Sequence, residues 1–124
     1  MKRGILVTLI IFFLAVVQVS ASELTLEKSD FVGGETLVGH IVLDDNQSAS
    51  VLREGITFER ANLKQDVIVF LLEENKKSYY FYFDVPRNSV EGKYDVKARV
   101  RFVEDDVLQE EIISTAVDVR VLDS

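Results

Sequence analysis

The one histidine, His40, stands in "TLVGHIV" between Val38 and Val42. It is the only side chain whose ordinary titration lies near neutral pH, and so the first to weigh as a general base or metal ligand. Either role needs partners, and the chain has no cysteine and no serine motif resembling a nucleophile elbow. The expectation is a structural or surface histidine, with no catalytic residue, no metal ligand set and no cofactor. Carboxylates gather at "LDDN" (Asp44, Asp45, Asn46) and "VEDD" (Glu104, Asp105, Asp106). Loop oxygens converging at strand ends can hold Ca²⁺, yet neither cluster has the spacing of an EF-hand loop, and a solvated acidic turn accounts for both. Asn46 opens "NQS", a glycosylation sequon that matters in a host that glycosylates.

The other residues that could do work are aromatic. In "KKSYYFYFDVP" the alternation of a strand puts Tyr79, Phe81, Phe83 and Val85 on one face and Tyr80 and Tyr82 on the other. The preceding "DVIVFLL" divides likewise, Val67, Val69 and Leu71 against Ile68, Phe70 and Leu72. A hairpin apolar on both faces needs two covers. The second could be the chain's own 48–64 segment, through Val51, Leu52, Ile56, Phe58 and Leu63; a protein partner or second copy; or a sugar polymer stacked on the two tyrosines. The first is expected, because that segment has apolar residues to bury. Ile68, Phe70, Tyr80 and Tyr82 are the interface candidates if a partner supplies the cover.

These residues need strands to position them, and period-two alternation dominates beyond residue 22. Tyr94, Val96, Ala98, Val100 and Phe102 oppose Asp95, Lys97, Arg99 and Arg101; Ile113, Thr115, Val117, Val119 and Val121 oppose Ser114, Asp118 and Arg120. "EDD" joins these two strands as a tight antiparallel hairpin. Val67 to Leu72 is expected to pair with Tyr79 to Val85 around "EENKKS". "TLVGHIVLDD" and "ELTLEK" supply earlier strands, and 46–65 is irregular, with "ITFERANL" as a further strand. The one proline, Pro86, ends the fifth strand. The fold class is therefore all-β, an antiparallel sandwich of about seven strands.

Ahead of it, "MKRG" and the apolar run Ile5 to Val19 read as an export signal over residues 1–22, with cleavage before Ser22 or Glu23. If retained, residues 5–21 form a hydrophobic anchor helix, somewhat short of the roughly 20 residues of a comfortable span. Residues 23–124 are one domain by length. Losing Lys2 and Arg3 leaves 12 basic residues against 21 acidic ones, a net charge of −9, which repels nucleic acid and anionic lipid. Without cysteine, the core alone must hold an exported domain together.

Two stretches resemble secreted immunoglobulin-like modules of the macroglobulin-type and bacterial or archaeal Ig-like families. In "LTLEKSDFVGGETLVGHIVL", Phe31, Gly34, Glu35 and Thr36 match the opening before the second strand, while Gly33 stands where those families usually have proline. "FYFDVPRNSVEGKYDVKARV" is similar to their strand, proline, loop, Gly-x-Tyr, strand passage. Independently of the likeness, Val90, Gly92, Tyr94 and Val96 have the spacing of a tyrosine corner, in which the hydroxyl bonds upstream backbone and the glycine lets the chain turn. The leader also looks like that of an archaeal type IV pilin, cut after Gly4 so that the apolar helix builds a filament.

The resulting expectation is an exported, non-catalytic Ig-like binding or adhesion module outside the cytoplasmic membrane, engaging a protein partner. The alternative is a structural subunit of a surface filament, or a membrane-tethered envelope component. Self-association falls within either reading, and carbohydrate is the weakest partner.

Overall fold

The computed structural model describes residues 22–43 and 48–122. The leader, Asp44, Asp45 and the sequon residue Asn46 lie outside the described residues, so the expectations placed on them are not addressed by the fold.

Nine strands form: β1 Glu23–Leu26, β2 Asp30–Val32, β3 Thr36–Val42, β4 Ser48–Arg60, β5 Leu63–Lys64, β6 Phe70–Asn75, β7 Ser78–Asp84, β8 Gly92–Glu104 and β9 Val107–Arg120. They make two sheets, of order β1-β3-β7-β6 and β2-β9-β8-β4-β5. Reading β1, β3, β7 and β6 as A, B, E and D, and β4, β8 and β9 as C, F and G, gives the strand order of an immunoglobulin-type sandwich. Two features depart from a plain antiparallel sandwich of about seven strands. The opening path changes sheets, β1 pairing antiparallel with β3 and β2 pairing parallel with β9. The two-residue β5 is an added edge.

The predicted alternation in β8 and β9 holds, since Tyr94, Val96, Ala98, Val100 and Phe102 are buried, as are Val117 and Val119. Val121 is an exception: it lies past the end of β9 and is exposed. Glu104 pairs with Val107, so Asp105 and Asp106 alone make the turn, both at positive φ (52° and 62°). That is the two-residue primed turn whose twist suits a hairpin, and aspartate tolerates it better than most residues.

Two expectations are corrected. Residues 48–60 are not irregular but a 13-residue strand whose alternation is broken by a bulge. Val51 pairs with Val100 and Ile56 with Ala98, so four residues, 52–55, stand opposite Arg99 alone. Nor does the 48–64 segment cover Tyr80 and Tyr82. It lies in the opposite sheet, where Val51, Ile56 and Phe58 point into the core, Phe58 meeting Phe83 at 5.2 Å and Tyr94 at 4.8 Å, while Leu52 and Leu63 are exposed. The segment therefore covers the inner face of the aromatic hairpin. The hairpin is also shorter than expected, with Phe70 opposite Tyr82, Leu72 opposite Tyr80, and only residues 76 and 77 between its strands.

Backbone contacts secure the ends of the sandwich. Tyr94 Oη donates to the Val90 carbonyl at 2.7 Å, and Gly92 before it has φ +148°. Glu35 accepts from the Val32 N–H at 2.6 Å and from the Lys28 ammonium, which holds its carboxyl below the usual range. A Cβ at position 33 would approach the Arg87 carbonyl oxygen to 2.6 Å, the physical reason for glycine where the resembling families carry proline.

Candidate functional site

The outward sides of the two sheets differ in chemistry. On the β2-β9-β8-β4-β5 sheet, Lys97 pairs with Glu59, and Arg99 and Arg101 both approach Glu110, at 3.7 and 3.2 Å. Glu59 is buried there, and a 2.6 Å hydrogen bond from the Thr57 hydroxyl, aided by Lys97, keeps its carboxyl below the usual range. Charged side chains on a solvated sheet face need no further cover.

The β1-β3-β7-β6 sheet presents aromatic and aliphatic side chains instead. Tyr80 and Tyr82 alternate outward from the buried Tyr79, Phe81 and Phe83 and are 40% and 38% exposed. On the edge strand, Phe70 and Leu72 are 50% and 59% exposed, and Ile68 just before it 73%. Pairing arranges these in rows. Val38, Tyr82 and Phe70 form one; His40, Tyr80 and Leu72 form the next. Phe70 stacks on Tyr82 with ring centroids 4.9 Å apart, and His40 stacks on Tyr80 at 4.3 Å. Thr36 donates to Asp84 at 2.7 Å at one end of the face, and Glu74 lies at the other, 3.7 Å from His40 Nε2 and accepting from Ser78. Desolvation by burial, aided by the nearby Glu73 carboxylate, raises the hydroxyl pKa of inward-facing Tyr79.

All four sequence candidates, Ile68, Phe70, Tyr80 and Tyr82, thus lie on one face. His40, read from the sequence as structural or surface, joins them through Tyr80. The signal that could have placed it was its parity with Val38 and Val42, but only the pairing of β3 with β7 shows which neighbours that parity selects. His40 meets a single carboxylate, and its Nε2 makes no hydrogen bond. Glu104, Asp105 and Asp106 sit at and beside the β8–β9 turn. Among the described residues no group of three or more His, Asp or Glu side chains is placed to hold a metal ion. No helix among them is long and apolar enough to cross a membrane.

No family model and no curated protein matches the chain. Among solved structures, AggA, the major subunit of aggregative adherence fimbriae type I from Escherichia coli, aligns over 83% of this chain and 97% of its own, with 11% identity and a TM-score of 0.50. Self-complemented MyfA, the major subunit of Myf fimbriae from Yersinia enterocolitica, aligns over 82% of this chain and 99% of its own at 15% identity, TM-score 0.47. A family 123 glycoside hydrolase from Clostridium perfringens aligns over 83% of this chain and 28% of its own at 11% identity, TM-score 0.49. At such identities the likeness is one of fold, and the alignment to AggA alone is strong enough to carry it. The chain is a two-sheet β-sandwich with one outer face aromatic and aliphatic and the other carrying paired charges beside the exposed Leu52, Leu63, Val103, Leu108 and Ile112.

Proposed function

We propose that the chain is an exported, non-catalytic β-sandwich module that works by protein association outside the cytoplasmic membrane, through the outer face of the β1-β3-β7-β6 sheet. The observation that carries this reading is the row of exposed large apolar side chains from Ile68 to Leu72 and across Tyr80 and Tyr82, which no other part of the described chain covers. A contiguous apolar surface of this kind is costly in water and marks an interface on a soluble domain. The apolar leader supports export.

A structural subunit of a surface assembly is the specific form of this reading that the AggA likeness favours, since that neighbour is a fimbrial major subunit. Carbohydrate binding has less support. Each tyrosine ring already has a stacking partner, Tyr80 on His40 and Tyr82 on Phe70, which leaves less open flat surface for a sugar ring.

The test is the double substitution Phe70→Ser, Tyr82→Ser in the full chain, expressed in its native cells. Both rings stack outside the core, so the variant is expected to fold with a Tm within a few degrees of the parent. Its retention at the cell surface should fall, with protein appearing in the medium. Retention equal to the parent's would sink the proposal.

A further inference from the structure

Strand pairing lapses at one end of the aromatic sheet. β6 begins at Phe70, opposite Tyr82, and the same register continued would set Ile68 against Asp84 and Asp66 against Pro86. Neither pair forms. Pro86 has no N–H to offer a ladder. Upstream of Phe70 the chain keeps the alternation of a strand, with Val67 half-buried, Ile68 exposed and Val69 buried, yet belongs to none. The N–H of Gln65 donates to the Phe58 carbonyl, and from there to Phe70 residues 66–69 make no backbone–backbone hydrogen bond with another described residue. Three successive β-branched residues, the side chains that favour strands, thus stand with their backbone unpaired.

The facing side is unpaired too. Val85 donates its N–H to the Glu35 carbonyl and accepts from Gly34, so it turns its backbone toward β3. Asp84, one position before, turns its N–H and C=O the other way. Alternation counted back from Phe70 turns those of Ile68 toward Asp84. Donors and acceptors therefore face each other across a cavity of about 490 Å³, bounded by the Phe70–Tyr82 pair at one end and by Pro86 and Arg87 at the other. Asp66, Asp84 and Arg87 give the cavity both signs of charge, and Asp84 already accepts from the Thr36 hydroxyl. Charge selects no ligand here, and the backbone does.

Resting on the association reading above, we infer that this slot takes a short extended segment of the protein partner, which hydrogen-bonds through its main chain to Ile68 and Asp84 and lays a side chain against the Phe70–Tyr82 stack. An extended polypeptide fits because its N–H and C=O groups alternate at the spacing that strands present, whereas the hydroxyls of a sugar have no such repeat. Ile68, Phe70 and Tyr82 belong both to the slot and to the aromatic face, so the segment continues the same contact.

Two measurements on the full chain test this. In the purified dilute protein, hydrogen exchange read by NMR should find the Ile68 and Asp84 amides exchanging at nearly the unprotected rate while those of Tyr80 and Tyr82 are protected. In native cells, Ile68→Pro removes one main-chain donor at a position outside any strand, and should lower surface retention about tenfold or more. Ile68→Ala keeps the donor and should lower retention no more than about threefold. Circular dichroism verifies that both variants fold. Protected Ile68 and Asp84 amides in the isolated protein would mean that the slot is closed, and would overturn the inference whether or not the proline variant folds. Equal losses from proline and alanine would assign the effect to the side chain, which overturns main-chain recognition and leaves the aromatic interface standing. Parental retention of the proline variant, with Phe70→Ser, Tyr82→Ser lost from the surface, would do the same. If that double variant is itself retained like the parent, the association reading fails and this inference with it.

Discussion

At position 39 an added methyl group would lie 2.1 Å from Cζ of Phe81, because the phenyl ring covers the glycine directly across the β3–β7 pair. Gly39→Ala must therefore displace a ring that is wholly buried, and it should destabilise the domain by about 2 kcal/mol, measured as a lower denaturant midpoint with unchanged slope. Tyr94→Phe keeps the ring stacked on Phe58 and removes only the hydrogen bond to Val90, so a loss of about 1 kcal/mol is expected in the same experiment. Glu59 ties stability to pH. Its folded pKa is lowered, chiefly by the Thr57 hydroxyl, so the native state favours the carboxylate. That contribution is present above the unfolded carboxylate pKa of about 4.3 and is lost as the pH falls through the folded value. Glu59→Gln should flatten the acid limb of a stability–pH curve while leaving Glu35, lowered by its Lys28 contact, to contribute its share. An acid limb as steep as the parent's would show that Glu59 is not held as described.

The elements were legible where alternation runs unbroken and obscure where it slips. β8 could be read residue by residue from Tyr94 to Phe102, and β9 from Ile113 to Val119, because alternation is nearly unbroken there and the turn between the strands is acidic and short. β4 could not, since residues 52–55 stand opposite a single residue of β8 and shift the phase of Val51 against Ile56. Nothing in the residue types of 46–65 reveals that slip, which is set by pairing with β8. The same limit explains the misplaced cover: alternation shows that the β6–β7 hairpin is apolar on both faces, but which sheet receives β4 is a matter of topology. The aromatic residues of the site were therefore recognisable as a pair of faces, while the joining of His40, Tyr80 and Leu72 in one row required the strand order. Deleting Leu52, Arg53 and Glu54 would leave Gly55 opposite Arg99 and restore alternation between Val51 and Ile56. The shortened strand should fold with stability within about 1 kcal/mol of the parent, because the removed side chains lie outside the core. A collapse of stability in denaturant titration would mean the bulge is part of what the sheet requires.

On the scale of the whole molecule, the core and the proposed interface are built from the same hairpin. Tyr79, Phe81 and Phe83 pack inward against β4 and β8, and Tyr80 and Tyr82, one position along, form the outer panel, so neither set can shift register without exchanging roles. A domain without cysteine holds itself together by the inner set, and the outer set is the surface through which we propose it engages a partner. Hydroxyl-radical footprinting of Phe70, Tyr80 and Tyr82 on intact cells, set against the purified dilute protein, is the most direct test that the aromatic face is occupied where the protein works. Strong protection of these three side chains in cells, with the exposed Leu63 labelled equally in both samples, is the predicted result. Equal labelling of the aromatic face in both would contradict the account.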